Sequence, residues 1–208
     1  MLFKAMIRGL FTFGWTVIAV AYAQAEPMRI VAFGDSLSAG YELPESEGFP
    51  KQLETALKAK GFDVIVENSS VSGDTSSGGL ERLDWSVADG TKLVILELGA
   101  NDALRGIDPA LTRSNVDVII KRLKARNIKV VLAGMLAPPN MGEAYAKPFN
   151  AIYPELAAQH DIPLYQFFMD GVITEAGLKL SDGLHPNAKG VAVIVSGILP
   201  FIEAQLKK

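Results

Sequence analysis

An apolar run, Met28-Arg29-Ile30-Val31-Ala32-Phe33, stops abruptly at Gly34-Asp35-Ser36. Strand-forming residues giving way to small polar ones read as a strand that delivers a hydroxyl into a turn, which makes Ser36 a candidate nucleophile. Gly-Asp-Ser is also ordinary turn material, so the assignment rests on three further polar groups: Ser72-Gly73-Asp74, Gly99-Ala100-Asn101-Asp102 and Asp182-Gly183-Leu184-His185-Pro186. A serine needs a base, and the chain has two histidines. His160 ends a helical pattern and is expected to cap its last carbonyls. His185 follows Asp182 by three residues, a spacing that lets the carboxylate accept from Nδ1–H and leaves Nε2 to take the serine proton. Pro186 and a cap at Asn187 would fix this loop ahead of the last helix. With the histidines far apart and no cysteine, no metal site is expected. Asp35, Asp74 and Asp102 are expected to orient loops rather than to form a glycosidase pair.

The elements that must bring these groups together alternate. After the first strand, Phe49 to Lys60 is helical and ends at Gly61. Phe62 to Glu67 is a strand and Gly78 to Ala88 a second helix. Lys92 to Leu98 is a nearly continuous apolar strand, as expected of one covered on both faces. Asp108-Pro109 opens a helix to about residue 126, Ile128 to Met135 is the fourth strand, and Glu143 to Gln159 a helix interrupted near Pro148. Pro163 to Phe168 is a fifth strand, and Asn187 to Gln205 closes the chain with a kink at Pro200. This is an α/β pattern: a five-stranded, mostly parallel sheet for which the flavodoxin-like order 2-1-3-4-5 is favoured.

That order has a chemical consequence. Ligands of open parallel sheets bind beyond the carboxyl ends of the strands, where strand order reverses. With the first strand between the second and third, Ser36 is flanked by Gly73 and Asn101. Attack of a serine hydroxyl on an acyl carbonyl creates an oxyanion. The backbone N–H groups of Ser36 and Gly73 and the side-chain amide of Asn101 would be its donors, and a glycine at 73 lets the main chain approach closely.

With 49% hydrophobic residues, 208 residues suit one sizeable core. Residues 1–25 read as a signal peptide: Lys4 and Arg8 precede an apolar stretch, Leu10 to Tyr22, and Ala23-Gln24-Ala25 is a small-residue cleavage site. The apolar stretch is short for a membrane-spanning helix, so no stable anchor is expected after cleavage. Residues 26–208 then carry 18 basic against 23 acidic side chains, with no basic footprint for nucleic acid. Absence of cysteine excludes disulfides, thiol catalysis and a lipidated cysteine. A periplasmic or secreted domain is expected.

Gly34-Asp35-Ser36-Leu37-Ser38, Ser72-Gly73-Asp74, Gly99 to Asp102 and Asp182 to Pro186 together resemble the four blocks of the GDSL, or SGNH, hydrolases, in order and spacing. The resemblance runs from about Arg29 to the C-terminus and points to the small periplasmic branch of thioesterase I, protease I and lysophospholipase type and of bacterial arylesterases. It implies a three-layer α/β/α sandwich, a triad of Ser36, Asp182 and His185, an oxyanion hole of Ser36, Gly73 and Asn101, and no cofactor. Ser36 sits in Gly-x-Ser-x-Ser, which disfavours the Gly-x-Ser-x-Gly elbow of α/β-hydrolases. Ala100 stands where the branch often has a second glycine.

The expected function is therefore hydrolysis of small carboxylic esters, aryl or acyl, and by extension of acyl thioesters or lysophospholipids. Leu37, Leu104, Leu136, Pro138, Pro139, Met141 and Tyr145 lie in loops at the same sheet edge and are candidates to line an acyl groove. Two other readings keep the fold: an acetyl-ester hydrolase acting on cell-wall or exopolysaccharide, and a non-catalytic protein that binds acyl groups or glycans in the crevice.

Overall fold

The last five residues of β1 (Met28–Gly34) are all buried, the signature of a strand covered on both faces. It pairs in parallel with β2 (Val64–Asn68) on one side and β3 (Leu93–Glu97) on the other, so that Ile30 lies beside both Val66 and Leu93. β4 (Lys129–Ala133) and the two-residue β5 (Leu164–Tyr165) extend the sheet beyond β3. The order is β2-β1-β3-β4-β5 and every pairing is parallel. The computed structural model describes residues 26–207; the expected signal segment, residues 1–25, lies outside them.

Helices cover the sheet in two groups. α2 (Phe49–Ala59) packs on α7 (Ala188–Leu206), while α5 (Pro109–Ala125) packs on both α3 (Ser76–Ser86) and α6 (Glu143–His160). Phe33, Phe49, Phe149, Tyr153 and Phe168 are fully buried in the core between them. At about 1.5–3 kcal/mol for burying one large apolar side chain, this core holds the strand ends, and hence the loops beyond them, in place.

Several elements differ from the sequence reading, each for a local reason. α3 begins at Ser76, two residues early, because the Thr75 hydroxyl accepts from Gly78 N–H and caps it there. α6 is continuous through Pro148 and Pro154. Both prolines are exposed while Phe149, Ile152, Tyr153 and Leu156 form an unbroken buried stripe, so packing outweighs the backbone bonds each proline forfeits. α7, by contrast, matches the single closing helix expected and carries the exposed Pro200 within it. The loops after β1 and β3 contain one-turn helices, α1 (Ser36–Ala39) and α4 (Ala100–Leu104), that composition did not reveal.

Candidate active site

Ser36 is the first residue of α1, directly after the strand end and its cap. The Asp35 carboxylate accepts from Leu37 N–H at 3.0 Å, which fixes the turn. Gly34 is compulsory: a Cβ there would lie 2.5 Å from both the backbone oxygen and Oε2 of Glu97. The chain can therefore pass over the end of β3 only without a side chain, and Ser36 emerges at the sheet edge.

His185 Nε2 lies 2.8 Å from Ser36 Oγ, and its Nδ1 lies 2.6 Å from Asp182 Oδ2. The two residues come from one tight turn. Asp182 Oδ1 accepts from the N–H groups of Leu184 and His185 at 2.9 and 3.1 Å, so the carboxylate caps its own loop while its other oxygen faces the imidazole. Leu180 N–H donates to His185 O at 2.8 Å, and Asn187 caps α7 by accepting from Lys189 and Gly190 N–H. The hydrogen bond from His185, then those from the backbone, hold the Asp182 carboxyl down at about 2. It is ionised through the neutral range.

The groups expected to flank Ser36 have their orientations set from behind. Asn101, in the first turn of α4, donates one amide N–H to Asp35 Oδ2 at 3.1 Å, and its second amide hydrogen remains. Gly73 has φ +87°, a conformation glycine adopts at little cost, and its carbonyl accepts from Arg105 Nη2 at 2.8 Å. Among the described residues neither the Gly73 N–H nor the Ser36 N–H has a hydrogen-bond partner. Two uncommitted backbone donors and one half-committed amide thus belong to the loops after adjacent strands.

Buried polar contacts join these loops. Asp102, fully buried, accepts from Ser76 N–H at 2.8 Å, Ser76 Oγ at 2.5 Å and Thr112 Oγ1 at 2.9 Å, tying the loop of Asn101 to the segment after Gly73. Arg82, 5% exposed, donates to Asp74 Oδ2 and to the carbonyls of Ser69 and Gly34, and stacks 4.1 Å from the Phe33 ring centroid. Asp35, Asp74 and Asp102 therefore all orient loops. Burial raises the Asp35 carboxyl to about 6, against the lowering effect of Leu37 N–H, Asn101 and His185.

The groove candidates divide. Leu37 is 7% exposed and packs within the hydrophobic core. Leu104 and Leu136 are exposed, Pro139 is exposed, and Pro138, Met141 and Tyr145 are half-buried. Tyr145 Oη donates to Ile107 O at 2.8 Å, and a Cβ at Gly106 would sit 3.5 Å from Met141 Cε, which places the loop after β4 against the loop of α4. His160 is held away from the site by a 2.6 Å contact from Nε2 to Asp117 on α5. Its structural role is to pin α6 to a neighbouring helix rather than to cap carbonyls.

The GDSL-like lipase/acylhydrolase family model matches residues 32–193. The chain belongs to this family. It is 43% identical over 160 residues to a protein of Vibrio mimicus named arylesterase, covering 76% of this chain and 80% of that one. Against the Escherichia coli K12 protein named thioesterase 1/protease 1/lysophospholipase L1 the identity is 37% over 172 residues, 82% and 81% of the two chains. Among solved structures, the psychrotrophic esterase EstA of a Pseudoalteromonas species, inhibited by monoethylphosphonate, superposes with a TM-score of 0.81 at 34% identity. That match covers 86% of this chain and 99% of that one.

One residue of this family member's site escaped the sequence reading. The Tyr41 ring lies 4.3 Å from the His185 ring, tilted by 32°, and is 38% exposed. Its only sequence signal is an aromatic residue directly after Gly40, the glycine that ends α1 in a left-handed conformation.

Proposed function

We propose that this chain is an exported serine hydrolase that cleaves carboxylic esters through an acyl-enzyme on Ser36. The observation that carries the reading is the relay from Asp182 to His185 to Ser36, with both contacts within 2.8 Å; three donors not fully committed elsewhere, on the loops after adjacent strands, support it. In acylation His185 Nε2 accepts the hydroxyl proton as Oγ attacks the carbonyl carbon, and Asp182 holds the imidazole in the required tautomer and offsets the imidazolium charge. The N–H groups of Ser36 and Gly73 and the free amide hydrogen of Asn101 receive the developing oxyanion. His185 then protonates the leaving alcohol, and a water deprotonated by the same nitrogen releases the acid. The Tyr41 ring packs against the imidazole face and helps to hold its orientation.

The printed names of the relatives support small aryl and acyl esters as substrates, with acyl thioesters and lysophospholipids as an extension. Exposed Leu104 and Leu136, with half-buried Pro138 and Met141, offer apolar surface to an acyl or aryl group. Export is supported by Lys4, Arg8, the apolar stretch Leu10 to Tyr22 and Ala23-Gln24-Ala25. Turnover of a p-nitrophenyl ester series tests the reading. Hydrolysis of acetyl through longer acyl esters is expected; acetyl-only turnover would indicate the polysaccharide deacetylase, and no turnover a binding protein.

A further inference from the structure

Glu97 ends β3 opposite Gly34 and is completely buried directly beneath the nucleophile turn. Its Oε2 accepts from Asp35 N–H at 3.2 Å and from the Ser38 hydroxyl at 2.8 Å, the residues just before and two after Ser36. Its Oε1 is equally sealed from solvent and has no partner among the described residues. This asymmetry is informative. A buried carboxylate needs hydrogen bonds on both oxygens or a cation to offset its desolvation. A neutral acid costs less: the carbonyl oxygen takes the two donors and the bare oxygen carries the proton, which leaves one unpaired O–H in place of an unpaired charge.

Among the described residues no cation is placed to change this. Arg82, from α3, reaches the same region but spends its guanidinium on Asp74 and on the carbonyls of Ser69 and Gly34. From α6 the Tyr153 hydroxyl donates to Leu98 O, not to Glu97. From the β1–α1 junction comes Asp35, already the acceptor for Leu37 N–H and the Asn101 amide, and so the member of this acidic pair equipped to hold charge. Burial, and next the Asp35 charge, push the Glu97 carboxyl well above its ordinary range.

We propose that Glu97 is a positioning residue that works as a neutral acid: through Oε2 it anchors the backbone on both sides of Ser36, and by staying uncharged it keeps a second negative charge from beneath the oxyanion. A second carboxylate beside Asp35 would oppose the charge that develops on the carbonyl oxygen and would make the Asp35 proton harder to remove. The catalytic half of this inference rests on Ser36 being the nucleophile. The protonation half does not.

The test uses the whole protein and reads protonation without reference to activity. Difference infrared spectroscopy at neutral pH should show the carbonyl stretch of an un-ionised carboxylic acid that is lost in E97Q and kept in D35N. Because the acid is neutral when folded and ionises above about 4.5 when unfolded, wild-type stability from this group declines as pH rises, so the melting temperature of E97Q relative to wild type should climb with pH. E97Q should keep kcat within about threefold with its acid limb unmoved, whereas E97L, which cannot accept from Asp35 or Ser38, should lose about tenfold in kcat at similar KM. If E97L does not fold, E97Q still decides the matter. Absence of the acid band from the wild type, its persistence in E97Q, a melting difference that shrinks with pH, or an acid limb displaced downward in E97Q would each overturn the proposal. Should Ser36 prove not to be the nucleophile, the infrared and melting results would stand unaltered, so the two failures can be told apart.

Discussion

The two ends of the same five strands are built differently. At the amino ends, Glu26 to Arg29, Lys92, Leu93, Asn127, Lys129, Gln205 and Leu206 are among the residues lining a hollow of about 540 Å³. Volume is available there, but the helices arrive carbonyl-first, and basic side chains are committed to those carbonyls. Lys129 donates to Gln205 O at the end of α7, Lys124 to His160 O at the end of α6, and Arg126 to Val87 O at the end of α3. At the carboxyl ends, α1, α3 and α4 begin, so unpaired N–H groups gather where an anion can form. Ser36, Gly73 and Asn101 belong to that end, with the 2.8 Å contact to His185. Helix polarity, rather than cavity volume, separates a surface finished by capping from one left able to do chemistry.

Substitutions at the two ends sharpen this contrast. Ser36→Ala should remove roughly 10⁴-fold or more of kcat on p-nitrophenyl esters, with the circular dichroism spectrum and melting temperature retained. Asn101→Ala should cost roughly 10²- to 10³-fold in kcat, the usual worth of one oxyanion donor, with KM little changed. An effect confined to KM would place Asn101 outside the transition state.

Acidity should act on the same end. Asp35 can accept fully from both Leu37 N–H and the Asn101 amide only while ionised, and its carboxyl sits at about 6, so kcat should fall as pH drops through that value. The sign for stability is opposite. A carboxyl raised from 3.8 to about 6 on folding contributes stability that is complete below 3.8 and is lost as pH rises through 6. A pH series of kcat and of melting temperature should therefore move in opposing directions for this group, and Asp35→Asn should flatten both at a lowered kcat.

The amino end supplies the smallest effect. Lys129→Ala should leave kcat within about twofold while lowering stability by roughly 0.3–1 kcal/mol, the worth of a charge at a helix C-terminus. A large loss of kcat in that variant would contradict the division between the two ends.

The candidate constellation could be read in the sequence because three of its parts follow strands and the other two precede the last helix. Once the order 2-1-3 is adopted, Ser36, Gly73 and Asn101 must be neighbours, and three-residue spacing joins Asp182 to His185. What escaped was support that depends on tertiary contact. Glu97 reads as one polar residue at the end of an apolar strand; its meaning appears only when Gly34 is seen to pass over it without a Cβ. Tyr41 meets His185 although the two are far apart in the sequence, a pairing no local pattern encodes. The break expected at Pro148 failed because a proline's effect depends on which side of the helix it faces, and the buried stripe of α6 decides that. The burial of Leu37 was hidden for a related reason: adjacency to Ser36 says nothing about the side on which a one-turn helix buries its second residue.

The central claim is that Ser36 is the residue attacked through when an acyl group is transferred. Treatment of the folded protein with a fluorophosphonate, followed by proteolysis and mass spectrometry, tests it most directly. One phosphonyl group on the peptide containing Ser36 is expected, formed much more slowly when His185 is replaced by alanine. Modification of a different residue, or an unmodified Ser36 in protein that still hydrolyses esters, would contradict the account.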